Sequence, residues 1–108
     1  MSRVEIDDKL ASLVQRLSAL RIATPISNPN YKKITEQYRE ASDRQTAAIG
    51  KAIDDADKDY LDFSKAMNAA ITSINEALEN IKKVAQTIER IAKVLDVLGK
   101  VFEKLTVV

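Results

Sequence analysis

The sequence predicts an all-α protein, and three observations predict it. Only two Gly and two Pro interrupt 108 residues in which Ala, Leu, Ile, Lys and Glu are abundant, so the local preference is helical almost throughout. Apolar residues recur at intervals of three and four along most of the chain, the period of one helix face. Hydrophobic residues make up 45% and charged residues 31%, a balance that suits a folded chain rather than a disordered one. The length has room for a single helical domain, 1–108.

The first element opens with Ser2-Arg3-Val4-Glu5. This is a capping-box pattern, in which a Ser hydroxyl accepts from a backbone N–H and a Glu three residues on reaches back. Ile6, Leu10, Leu13, Leu17 and Leu20 follow at spacings of 4, 3, 4 and 3, with Val14 widening the stripe, which predicts a helix over about 3–21. Pro25 and Pro29 push Thr24 and Asn28 out of helical geometry, so 22–29 reads as a loop with Asn28 capping a second helix and Pro29 in its first position. That helix carries a weaker stripe of Tyr31, Ile34, Tyr38, Ala41, Gln45 and Ala48.

From Ile49 to Leu105 the pattern is a heptad. Ile53, Tyr60, Met67, Ile74, Ile81, Ile88, Leu95 and Phe102 stand at its a positions, and Ile49, Ala56, Phe63, Ala70, Ala77, Val84, Ile91, Leu98 and Leu105 at d. Ile71 and Leu78 at e, and Val94 and Val101 at g, make the stripe wider than a two-stranded seam needs. A single helix from 29 to 106 would be about 115 Å long. A turn is therefore expected, either at Gly50 or at Ser73-Ile-Asn-Glu76, a second capping-box match. The second site gives a three-helix bundle: a shorter N-terminal helix and two long helices, about 30–68 and 73–106, forming a hairpin. The competing architecture is an elongated coiled-coil rod with one helix from about 29 to 106.

Several function classes are excluded or disfavoured by composition. Without Cys or His there is no disulfide, no thiol chemistry and no near-neutral imidazole, and any metal would need oxygen ligands alone. Asp55, Asp57 and Asp59 alternate as the first ligands of a calcium loop do, but Tyr60 replaces the turn glycine and Ala66 the bidentate Glu. A solvated helix face between buried Ile53, Ala56, Tyr60 and Phe63 is the expectation there. No cofactor, no small-molecule substrate and no enzymatic residue set is identified.

A net charge of +1 supplies no long-range field for nucleic acid, and the sparse aromatics fall on helix stripes, so no nucleic-acid partner is expected. The charge is unevenly placed: eight basic against six acidic residues over 1–50, three against seven over 51–80, and six against three over 81–108. The amphipathic, basic C-terminal helix makes a membrane surface the secondary partner reading. The start MSRVEIDDKL lacks an apolar leader core and no run of about 20 apolar residues exists, so a cytoplasmic protein is expected, with signal-independent export left open. Thr106-Val107-Val108 has the form of a short tail that a partner domain takes up as a strand, although a frayed end is the plainer expectation.

Pro25-Ile-Ser-Asn-Pro29 between two helices, followed by Tyr31 and Gln37-Tyr38, resembles the Pro-flanked turn of type III secretion needle subunits. The turn here has one extra residue and the chain runs on well past the point where those subunits end.

Together these readings favour a non-enzymatic helical interaction or structural module. It self-associates or docks on a protein partner through an apolar face of Ile71, Ile74, Leu78, Ile81, Ile88, Leu95 and Phe102. The alternative is a membrane-active or secreted helical protein that uses its basic C-terminal helix.

Overall fold

A small sheet that the helical pattern does not foresee closes one end of the molecule and decides where the helices run. The computed structural model describes residues 2–108. Among them the chain forms β1 (Arg3–Glu5), α1 (Asp7–Ala23), α2 (Tyr31–Ala48), β2 (Lys51–Asp54), α3 (Lys58–Glu79), a 3₁₀ turn (Ile81–Lys83), α4 (Val84–Lys104) and β3 (Thr106–Val107). The all-α class stands, with four helices packed on one another and a minor three-stranded sheet. β2 is the central strand, antiparallel to β1 with Val4 opposite Ile53, and antiparallel to β3 with Ala52 opposite Thr106.

The segment that could cap a helix at Ser2 is a strand instead. There Val4 packs against the core opposite buried Ile53, which a helix starting at residue 3 would not provide. The Ser2 carbonyl accepts from the Asp55 amide at 2.9 Å, and Arg3 Nη2 donates to the Ala52 carbonyl at 2.8 Å and to the Thr106 hydroxyl, so one side chain ties all three strands. Helix α1 then starts at Asp7, where Asp7 and Asp8 meet the positive end of its dipole.

With the starts of α1 and α3 and the ends of α2 and α4 held at the sheet, the helices run up and down. α1 packs on α2, α3 on α4, and the two hairpins meet through α1 against α3 and α2 against α4. The molecule measures 45 × 21 × 17 Å, which overturns the 115 Å rod. Its core takes Leu10, Leu13, Leu17 and Leu20 from α1, Ile34 and Ala41 from α2, Phe63, Met67, Ala70 and Ile74 from α3, and Ile91, Val94, Leu98 and Val101 from α4.

The turns fall at two places, and neither is 68–73. α2 ends at Ala48 because Gly50 adopts φ +76°, a left-handed conformation that glycine takes without a Cβ clash. α3 runs through Ser73 to Glu79 and stops at Asn80, whose backbone is extended and whose side chain accepts from the Lys82 amide at 3.2 Å. Ser73 is buried in mid-helix. Its hydroxyl lies 2.9 Å from that of Thr87 on α4, which in turn reaches the Ser73 carbonyl at 3.0 Å and the Lys83 carbonyl at 3.2 Å. Ser73 donating to Thr87, and Thr87 to one of those carbonyls, satisfies both buried hydroxyls.

The apparently unbroken heptad therefore conceals a change of phase. Apart from Ser73, α3 buries its a and d residues, whereas α4 buries Val84, Thr87, Ile91, Val94, Leu98 and Val101, its d and g residues, together with Val97. The Asn80–Lys83 turn rotates the second helix by roughly 50° about its axis relative to a continuous seam. Three smaller differences follow from the same ends. Asn28 caps a tight turn by accepting from the Asn30 amide at 2.9 Å, and α2 begins at Tyr31. Ile49 and Ala56 lie exposed beside β2 rather than in a seam. Thr106-Val107 pairs as a strand instead of fraying.

A Cβ at Gly50 would meet no atom within 4 Å, so the cost of adding one is that of the backbone alone. Gly50→Ala is expected to lower stability by about 1–2 kcal/mol, seen as a lower urea midpoint with an unchanged slope.

Candidate partner-docking surface

The seven residues expected to form one apolar face do not form it. Ile74 is fully buried in the core. Ile71, Ile81, Ile88, Leu95 and Phe102 are half-buried against it, and Leu78 alone among the seven is exposed, at 40%. The phase change explains this: Ile88, Leu95 and Phe102, the a residues of α4, turn toward α2 instead of outward. There Gln37 Nε2 donates to the Ile88 carbonyl at 3.0 Å, and the Arg44 guanidinium sits 5.1 Å from the centre of the Phe102 ring. The apolar side of α4 that lipid would need is likewise packed inside the bundle. No helix among the described residues is long and apolar enough to cross a membrane.

The open surface lies on the other side of α4. Gln86, Arg90, Lys93, Val97 and Lys100 follow one another at spacings of 4, 3, 4 and 3, so they lie on one side of α4, the four polar members exposed and Val97 buried beneath them at 6% exposure. On α3 the matching stripe is Asp62, Lys65, Ala66 and Ala69. Between them runs a groove of about 640 Å³, also bordered by Glu89. A second hollow of about 340 Å³ shares Ala69, Gln86 and Arg90 and carries the groove on past Asn68 and Thr72 to Glu76. The floor is made of small side chains, since Ala66 and Ala69 leave α3 nearly bare where α4 passes. Glu76 is matched by Lys83 at 3.3 Å, whereas Lys65, Arg90, Lys93 and Lys100 have no carboxylate within ion-pair distance among the described residues.

At the sheet end the acidic stretch has a structural use. Asp57 caps α3 by accepting from the Asp59 amide at 2.8 Å, and Lys104, in the last turn of α4, lies 3.2 Å from Asp57 and 2.8 Å from Asp59. An ammonium thus occupies the space between two carboxylates that the alternating Asp pattern had offered to a cation. Partial burial pushes the Asp57 carboxyl up, but the Asp59 and Tyr60 amides and the Lys104 ammonium outweigh it and hold its pKa below the ordinary 3.8. The bonds to Asp59 and Asp57 in turn raise Lys104 above 10.5.

A third polar feature lies between α2 and α4. Gln37 is only 4% exposed, and among the described residues no protein donor reaches its Oε1. It borders a shallow cleft of about 420 Å³ with Lys33, Glu36, Glu40 and Asp96 at its rim.

Compared with known protein families, with curated proteins and with solved structures, the chain finds no match.

Two outcomes follow from these geometries. Gln37→Leu removes a buried acceptor that lacks a protein donor, while the Ile88 carbonyl keeps its helical bond. Stability is expected to rise by about 1 kcal/mol, seen as a higher urea midpoint, and a fall of that size would contradict the assignment of Oε1 as unpartnered.

The Asp57–Lys104 contact adds stability that is present above the unfolded Asp pKa and is lost as pH falls through the lower folded value. On the alkaline side it is present below 10.5 and lost as pH rises through the raised Lys104 value. The stability difference between the parent chain and Lys104→Met, from urea melts, is therefore expected to stay level between about pH 5 and 9 and to shrink below about pH 4.

Proposed function

We propose that this chain is a non-enzymatic helical interaction module that docks on a protein partner through the outer α3–α4 groove. One observation carries this reading: four cations outside any ion pair among the described residues, Lys65, Arg90, Lys93 and Lys100, stand around a floor of Ala66, Ala69 and Val97. Small side chains between two adjacent helices leave room for a third element to approach closely. Charged groups around such a floor give orientation and rate to the encounter more than they give affinity. The bundle behind the groove is packed with Phe63, Met67, Ile91 and Leu98, so the surface is presented by elements with fixed positions.

Self-association is the weaker form of the reading. An isologous dimer formed through this groove would face the same four cations with one another. Single outward side chains such as Ile22 and Ile26, beside and within the loop between α1 and α2, are scattered and need no partner.

A photo-crosslinking residue placed at Ala69 in the cells that produce the chain, with Lys32 on α2 as the control position, tests the proposal. A discrete adduct with one protein is expected from Ala69 and none from Lys32. Equal adducts from both positions, or none from either, would overturn it.

A further inference from the structure

The groove also restricts what kind of partner fits it, and the following rests on the docking role proposed above. We infer that its occupant is an acidic amphipathic α-helix of a partner protein, laid along α3 and α4. Three features lead there.

The first is shape. The groove and its continuation follow α3 from Asp62 to Glu76, about 21 Å or four helical turns, and a trench between two packed helices accepts the ridge of a third. The second is the floor. Ala66 and Ala69 carry nothing beyond Cβ, so an incoming helix can come to the near end of the usual 8–10 Å interaxial range and set its apolar side chains against them and Val97. The third is charge. Lys65 stands on the α3 rim and Arg90, Lys93 and Lys100 on the α4 rim, against only Asp62 and Glu89, because Glu76 is already held by Lys83. A helix with carboxylates on its flanks and small or branched apolar residues beneath meets all of these groups at once.

Other occupants fit less of the surface. A second copy brings the same cations, and a flat bilayer cannot reach a concave floor. A nucleic-acid backbone offers the alanines nothing apolar, while the chain's net charge of +1 draws no polyanion from a distance.

The test uses the full chain, labelled with ¹⁵N, and a capped peptide of about 21 residues built from Leu-Glu-Gln-Ala-Leu-Gln-Glu repeats, which put Leu and Ala on one helix face and Glu on both of its flanks. Amide shifts centred on Ala66, Ala69 and Val97 are expected. Affinity should weaken at least tenfold between about 50 and 300 mM salt. The double reversal Arg90→Glu/Lys93→Glu should cost at least tenfold in Kd, while Lys32→Glu/Lys33→Glu on α2 should change it less than twofold. Circular dichroism of both variants establishes that they keep the fold.

Shifts elsewhere, binding indifferent to the reversal, equal binding of a peptide with Lys in place of Glu, or tighter uptake of duplex DNA or anionic vesicles through the same residues would overturn the inference. If the crosslinker at Ala69 captures a protein while the acidic peptide fails to bind, the acidic-helix assignment falls and the docking role stands. If both fail, both fall.

Discussion

Three strands of two to four residues hold together the beginning, the middle and the end of the described chain, and the helices take their places from that constraint. β2 lies about fifty residues from each of its partners, so pairing it closes two large loops of comparable size, each containing one helical hairpin. Closing a loop of that length costs entropy that grows only slowly with its size, and the apolar faces of the two hairpins offset it once they meet. Arg3 reinforces the junction from one side chain, and Lys104 reinforces it again by joining the last turn of α4 to the cap of α3. Because helix starts and ends are set at one end of the bundle, the opposite end needs only two plain reversals, the Thr24–Asn30 loop and the Asn80–Lys83 turn.

Much of the core could be read from spacing alone. Leu10, Leu13, Leu17 and Leu20 are buried as their period requires, and so are Phe63, Met67, Ala70 and Ile74. Spacing failed where two elements share a period but not a phase. A heptad count continues through Asn80 without a missing apolar residue, yet the helix on its far side faces the core with a different pair of rows. The two capping-box matches misled for a related reason. Such a pattern records what side chains can do locally, and tertiary burial overrode it twice: Val4 found a cross-strand neighbour, and Ser73 found the Thr87 hydroxyl. Gly50 was the reliable signal, because a left-handed backbone is a demand few other residues meet. The strands were hardly legible, since segments of two to four residues carry too few alternations to show a period of two.

The outer α3–α4 groove is partly legible in the sequence. Gln86, Arg90, Lys93, Val97 and Lys100 show helical spacing as clearly as any apolar row, but charge summed over whole segments hides a stripe. What no sequence count supplies is the partner state of each cation. Lys83 and Lys104 find carboxylates from distant or neighbouring turns, whereas the groove lysines and Arg90 do not, and only folding sorts them. The apolar width of the stripe from Ile49 to Leu105 is not surplus, because α1 and α2 cover it inside a four-helix arrangement.

β1 and β3 flank the same central strand, and Glu5 and Thr106 both stand opposite Ala52, so these two residues lie about 10 Å apart, two strand spacings. The path from β1 to β3 thus nearly closes on itself. Its cyclic order matters more to the architecture than the point at which the path is open. A short bridge across that gap, with the chain opened instead in the Pro25–Pro29 loop, would leave every helix–helix contact in place and turn the sheet junction into an interior segment. By the same geometry the body could sit within a loop of a larger protein, entered and left through two adjacent strands, with the α3–α4 groove pointing outward.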